Sequence, residues 1–272
     1  MTGVGTAAGA VLIADLTGPA DIHGVHGAAG LTHWKCLASG HDLMSEVEAV
    51  EWASIPPGGV SGEHRHTRTE ESYFILRGQG EIYLDGQPHP VGAGSLILTG
   101  LGTVHGLRNT GSTDLDWLVI EVRSPGTSDA LLGRSQDMTV VTSRNPTEAH
   151  MNAAIHDLGE PGESAESGAL RRVDPGDLLT GPLRLIERRS LEPGTTWDLR
   201  AVGSEHTVFV LSGDGWAAAD DATADLRAWT SVTLPLGTSA RFGAGRHGLE
   251  VFHAELTVPD AALVSAAAEG HR

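Results

Sequence analysis

Three blocks of this chain recur in the same order at a nearly constant distance. HTVFVLSGDG at 206–215 aligns with ESYFILRGQG at 71–80, and SVTLPLGTSA at 231–240 aligns with LILTGLGTVH at 96–105, both at a shift of 135 residues. IERRSLEPG at 186–194 follows VEWASIPPG at 50–58 at a shift of 136, so one residue is lost just after the PG turn. Three matches in register imply a duplicated domain, and each half must then build the same architecture from a similar string of short segments.

Those segments read as strands. With 36 glycines and 13 prolines among 272 residues, the chain is cut into short runs rich in Val, Leu, Ile and Thr. In the first half such runs cover about 46–55, 71–76, 81–84, 95–98, 103–108 and 116–122, separated by PPGG, RGQG, DGQPHPVGAG and NTGSTD. That spacing suits an all-β sandwich or barrel. The stretch 124–168, which includes EPGESAESG, is polar and turn-rich and reads as a linker or surface excursion. We therefore expect an N-terminal domain over 1–140 and a C-terminal domain over 141–272.

Charge and cysteine usage narrow the chemistry. The formal net charge is −17, from 35 acidic and 18 basic residues without a basic cluster, which would repel a phosphate backbone or an anionic membrane surface. The opening MTGVGTAAGAVLIADLTG has only a short apolar run, with no positive residue before it and Asp15 soon after. It fits neither a secretory signal nor a spanning helix, and a cytoplasmic protein is expected. Cys36 is the only cysteine, so any metal must be held by histidine and carboxylate.

The segment HRHTRTEESYFILRG at 64–78 supplies both groups. Alternation along a strand places His64 and His66 on one face, and Glu71, Tyr73 and Ile75 together on the next strand. His105 and Leu107 share a face within GLGTVHGLRN, where glycines permit a tight turn before the strand. Three imidazoles and one carboxylate can thus meet. Glu70 has the opposite parity and should point outward or into the turn, so Glu71 is the expected carboxylate. The other histidines, His26, His206 and His253 among them, are expected to be ordinary core or surface residues.

At this point the chain resembles the cupin superfamily. Its first pattern (Gly, five residues, His-x-His, four residues, Glu, six residues, Gly) is met by Gly58, His64, His66, Glu71 and Gly78. Its second (Gly, five residues, Pro-x-Gly, two residues, His, three residues, Asn) is met by Gly94, Gly102, His105 and Asn109, with Gly100 in place of proline. The resemblance implies two double-stranded β-helix (jelly-roll) barrels, the first holding one divalent metal through His64, His66, Glu71 and His105. In the second copy Leu199, Ala201, His206 and Ala240 stand at those four positions, so the C-terminal barrel is expected to be metal-free.

Four protein ligands leave coordination positions open, as catalysis requires. The donor set suits Fe(II), and also Mn, Ni, Co or Zn. Tyr73 is either a proton donor beside the ion or a packing residue. Glu51 is either a buried general base or, if its strand faces the other way, a solvated residue like its counterpart Glu187. Arg65 and Arg108 fall off the expected inner face, which favours a neutral or singly charged small molecule that chelates through hydroxyl, keto or enol oxygens. An Fe(II)-type dioxygenase is expected first, a Mn or Zn isomerase, epimerase or cyclase second, and a non-catalytic binding protein third, with a homodimer as the family-like assembly.

Overall fold

The computed structural model describes residues 10–28, 30–127, 152–162, 171–220 and 222–259. Residues 128–151 and 163–168 of the expected linker lie outside that set, as do His150 and His271. The regular structure among the described residues is almost entirely strand, organised into two barrels packed against each other.

The first half forms a seven-stranded and a four-stranded sheet. The larger runs, in spatial order, Ala153–Asp157, Ser95–Thr99, Thr69–Arg77, Leu115–Arg123, Val47–Ile55, Leu31–Ser39 and Ala20–His23. The smaller runs Val60–Arg65, Val104–Asn109, Gln79–Leu84 and Gln87–Gly92. In the second half the counterparts of separate strands run on as Ser204–Ala219 and Ser239–Thr257, within a single eight-stranded sheet. Asn109 accounts for part of this difference. Its amide donates to Ile55 O and Thr113 O and its Oδ1 accepts from Gly111 N, a side-chain turn that ends the strand. Ala244, at the matching position, has no such groups.

Two short strands tie the halves together. Leu12–Ala14, near the start of the chain, pairs with Ser231–Leu234 in the second sheet. Ala153–Asp157, inside the stretch read as a linker, pairs with Ser95–Thr99 in the first.

The interior divides into three apolar clusters. One fills the first barrel, with Ile55, Ile75, Ile82, Leu107 and Trp117, and another fills the second, with Val208, Val232, Phe242 and Val251. The third lies between the barrels and draws on both, from Phe74, Leu96 and Leu118 to Phe209 and Phe252, the Phe74 and Phe252 rings being 5.0 Å apart. Thr69–Leu76 is therefore buried on both faces, which explains why SYFIL reads as a continuous apolar run rather than an alternation.

The same two-sided burial changes the meaning of Glu70. It does point away from the barrel interior, but onto the other barrel rather than into water, and is 1% exposed. Its carboxylate accepts from Thr180 N and Gly181 N, both at 2.8 Å, and from Thr180 Oγ1 at 3.0 Å. A Cβ on Gly181 would lie 2.8 Å from Val122 Cγ2, so only glycine lets this loop seat. Glu205, the counterpart of Glu70, does the reciprocal job: it accepts from Met44 N, Ser45 N, Ser45 Oγ and Leu236 N at 2.6–3.0 Å. Each carboxylate thus holds a loop of the other barrel, the one before Leu183–Leu191 for Glu70 and the one before Val47–Ile55 for Glu205.

Charge-assisted hydrogen bonds of this kind are worth about 1.5–3 kcal/mol each, and donors left without a partner cost more than the bonds contribute. Glu70→Ala and Glu205→Ala should each lower stability in urea denaturation by about 3 kcal/mol. A loss below about 1 kcal/mol would show that water replaces the carboxylates freely.

Candidate metal centre

The four expected ligands come from three strands of the first barrel. His64 ends Val60–Arg65 and lies directly across from His105 on Val104–Asn109, while Glu71 is on Thr69–Arg77. His66 falls one residue beyond its strand, yet still turns its ring inward. The Nε2 atoms of His64 and His66 are 2.8 Å apart, and Glu71 Oε2 lies 3.0 Å from His105 Nε2 and 3.4 Å from His66 Nε2. One donor atom from each of the four falls within 4.8 Å of all the others. Glu71 and His105 are buried, at 5% and 1% exposure, and His64 and His66 are half-buried, so the cluster opens on one side only.

These atoms fit a cation better than one another. His64 Nδ1 donates to Gly62 O at 2.9 Å. His66 Nδ1 donates to Thr69 Oγ1 at 2.6 Å, because that hydroxyl spends its own proton on Glu121 Oε1 at 2.7 Å. Both Nε2 atoms therefore present lone pairs to each other. Glu71 Oε2 is buried without a well-directed hydrogen bond. Ligands held about 2.1 Å from one ion at right angles stand about 3.0 Å apart, which is the spacing seen. The group could hold one metal ion.

Electrostatics agree with that fit. Burial alone would raise the Glu71 carboxyl, but contact with His105 and the charges of His105, His66 and His64 outweigh it and bring it to about 2. Burial brings His64 down to about 4, leaving its imidazole neutral near pH 7. Burial opposes protonation of His66 too, but Glu121 and Glu71 more than offset it and raise it. An ionised carboxylate beside the neutral imidazole of His64 is a donor pair suited to a cation.

The remaining candidates also face inward. Tyr73 has its hydroxyl 3.4 Å from His105 Nε2, and burial, then Glu71, push its phenol well above 10, so it keeps its proton. Glu51 lies in one cross-strand row with Val119 and Tyr73, which places it on the interior face. Burial raises its carboxyl. Arg65 and Arg108 are exposed, Arg65 donating to Gly102 O. Sequence reasoning missed Glu121 and Thr69, which orient His66, and His26, whose Nδ1 is 2.7 Å from His64 Nδ1. Glu121 was signalled by its place among Trp117 and Val119 on an otherwise apolar strand face.

At the matching place in the second barrel, Glu187, His253 and His206 form a buried row. His253 uses Nδ1 toward Glu187 Oε1 at 3.0 Å and Nε2 toward His206 Nδ1 at 3.1 Å, and His206 Nε2 donates to Arg200 O at 3.2 Å. Since His253 spends opposite ring atoms on its two neighbours, the donors lie along a line rather than around a point. Among the described residues no metal-ligating group is found there. The bond from His253 is the main reason that the Glu187 carboxyl sits at about 2, Arg189 assisting against burial. A carboxyl lowered on folding stabilises above its ordinary value and loses that contribution as pH falls. The urea midpoint should therefore drop between about pH 4.5 and pH 2 through this residue, and Glu187→Gln should flatten that slope. An unchanged slope in the variant would contradict the assignment.

Comparison with known proteins places these features. The Cupin domain family model matches residues 51–121, the span that contains all four ligands. An oxalate-binding protein of Thermotoga maritima is 31% identical over 102 residues, covering 38% of this chain and 84% of that protein. Among solved structures, protein Ylba from E. coli superposes with a TM-score of 0.65 at 12% identity over 93% of both chains. Salicylate 1,2-dioxygenase from Pseudoaminobacter salicylatoxidans, solved with gentisate, superposes with a TM-score of 0.58 at 17% identity over 86% of this chain and 75% of its own. Those likenesses extend over both barrels. With a curated relative matched over most of its length, two jelly-roll halves and a His/Glu cluster in the first, the chain belongs to the cupin superfamily and carries two cupin domains.

Proposed function

We propose that this protein is a metal-dependent dioxygenase acting on a small organic molecule that chelates through hydroxyl, keto or enol oxygens. The observation that carries the reading is the convergence of three imidazoles and an ionised carboxylate, half-buried on the side of His64 and His66, beside the apolar core of the first barrel. His64, His66, Glu71 and His105 would hold the ion, Fe(II) first, though Mn, Ni, Co and Zn suit the same donors. When bound, such an ion supplies Lewis acidity and, if iron, one-electron chemistry with dioxygen.

The chain's own residues account for the rest. Thr69 and Glu121 fix the tautomer of His66, as a hydrogen-bonded partner behind a ligating imidazole does. Ile75, Leu107 and Trp117, packed in the core of the first barrel, keep water from that side of the cluster. Tyr73, kept protonated, offers an O–H to a substrate oxygen near His105. With Arg65 and Arg108 exposed, nothing in the motif strands neutralises a polyanion, so a neutral or singly charged substrate is favoured.

Two other readings have specific support. Glu51, inward-facing with a raised carboxyl, would serve as the general base of a Mn or Zn isomerase, epimerase or cyclase acting through an enolate. The Thermotoga maritima relative is named for oxalate binding, which favours a chelate-binding protein without turnover.

Oxygen consumption separates the three. Metal-free protein loaded anaerobically with Fe(II) and offered ortho-hydroxy aromatic acids and 1,3-diketones should take up one O2 per substrate without added reductant. His105→Ala should lose at least about 100-fold of that rate, since it removes a ligand outright. Turnover under argon by Mn- or Zn-loaded protein would establish the isomerase class instead, and binding with no turnover of any kind would establish the third.

A further inference from the structure

His26 sits on a turn that reaches the metal centre from outside the barrel. The turn Val25–Gly27 packs on the strand Val60–Arg65, and with the preceding Gly24 it has three left-handed backbones in four residues, Gly24 at φ 74°, His26 at 53° and Gly27 at 78°. Two of these are glycines, for which the conformation is free of side-chain strain; His26 holds it against its own Cβ. The approach is close. A Cβ on Gly62 would fall 2.3 Å from His26 O, so the strand must offer glycine for the turn to seat. The result is an edge-on contact between the His26 and His64 rings, centroids 3.4 Å apart, with the two Nδ1 atoms at 2.7 Å.

Two nitrogens at that distance share one proton, and the ligand geometry decides which carries it. His64 Nε2 faces His66 Nε2 and must keep its lone pair to ligate, so its proton is on Nδ1. That N–H meets two acceptors, Gly62 O at 2.9 Å and His26 Nδ1. His26 is then protonated on Nε2, which has no hydrogen-bond partner among the described residues.

We propose that His26 is a positioning residue of the metal centre: it accepts the His64 Nδ1 proton and so locks His64 in its ligating tautomer and ring orientation. The proposal rests on the metal reading of the four-residue cluster. His66 has Thr69 and Glu121 for this purpose, whereas half-buried His64 otherwise depends on a single carbonyl. His26 supplies the missing support from a segment that lies outside both sequence motifs.

The test is a Co(II) titration of tag-free, metal-free protein, read by visible absorption and by competition with a chromophoric chelator. His26→Ala should weaken Co(II) binding about 10-fold or more, the usual effect of losing a partner behind a ligating imidazole. Its absorption bands should keep their pattern, because the ligand count is unchanged. His26→Asn places an acceptor where Nδ1 was and tolerates the left-handed backbone, so it should restore affinity to within about threefold. The metal-free variants should unfold at the wild-type temperature.

Wild-type affinity in His26→Ala would overturn the inference, as would bands showing one nitrogen ligand fewer, which would make His26 a ligand itself. So would destabilisation of both metal-free variants without rescue by asparagine, the mark of a merely structural role. Failure of the wild type to bind Co(II) overturns the metal reading and this inference together, whereas tight wild-type binding unaffected by His26→Ala overturns this inference alone.

Discussion

Glu70 and Glu71 are adjacent on one strand and face opposite ways, and most of the structure depends on that parity. Glu71 turns into the first barrel, where three imidazoles surround it; Glu70 turns out of it, where the second barrel's loop closes over it. A slip of one residue in register would exchange them, placing the ligand between the barrels and the clamp inside the chamber. The register is secured because neither face is free: the chamber's apolar wall lies on one side and the Phe74, Phe209 and Phe252 layer on the other. The duplicated half keeps one member of the pair only. Glu205 still clamps the opposite loop, whereas His206 stands where a ligand would be. The assembly carboxylate is shared by both copies, whereas among the described residues a group that could hold a metal is found in the first alone.

The second barrel shows another arrangement of the same polar groups. Its polar groups are the same types, imidazole and carboxylate, but they satisfy one another in a row from Glu187 through His253 to His206. In the first barrel the Nε2 atoms of His64 and His66 are left with lone pairs facing each other. The difference between a core hydrogen-bond chain and a coordination site therefore lies in which ring nitrogen is spent on the protein. In the first barrel the outer nitrogens of His64 and His66 are committed to Gly62 and Thr69, and this frees the inner ones.

Much of this was legible in the chain because both strand parity and the duplication are written at short range. The four-residue cluster follows from spacing within 64–71 and from His105, and the six expected strands lie within two residues of their limits, whereas Gln87–Gly92 is a strand inside the stretch DGQPHPVGAG read as a turn. What escaped the sequence depends on partners distant along the chain. Glu121 and His26 act through residues far from them in sequence, and Glu70, read as pointing outward or into the turn, takes its acceptor role from a loop more than a hundred residues away. The strand Ala153–Asp157 was hidden inside a polar, glycine-rich stretch, and its pairing depends on an edge that only the folded barrel presents. The fused strands of the second half follow from the lack of an Asn109-type turn, a signal too small to notice before the first copy is seen.

Sheet edges are where strand-rich proteins recruit unwanted neighbours, and here the chain covers two of its own. Leu12–Ala14 crosses to flank the second sheet, and Ala153–Asp157 flanks the first beside Ser95–Thr99. A gene cut at the middle would strip a border from each piece and bare backbone amides and carbonyls to any passing strand. The two barrels are thus bound by mutual hemming as well as by a common core, and neither is a module that could be lifted out intact.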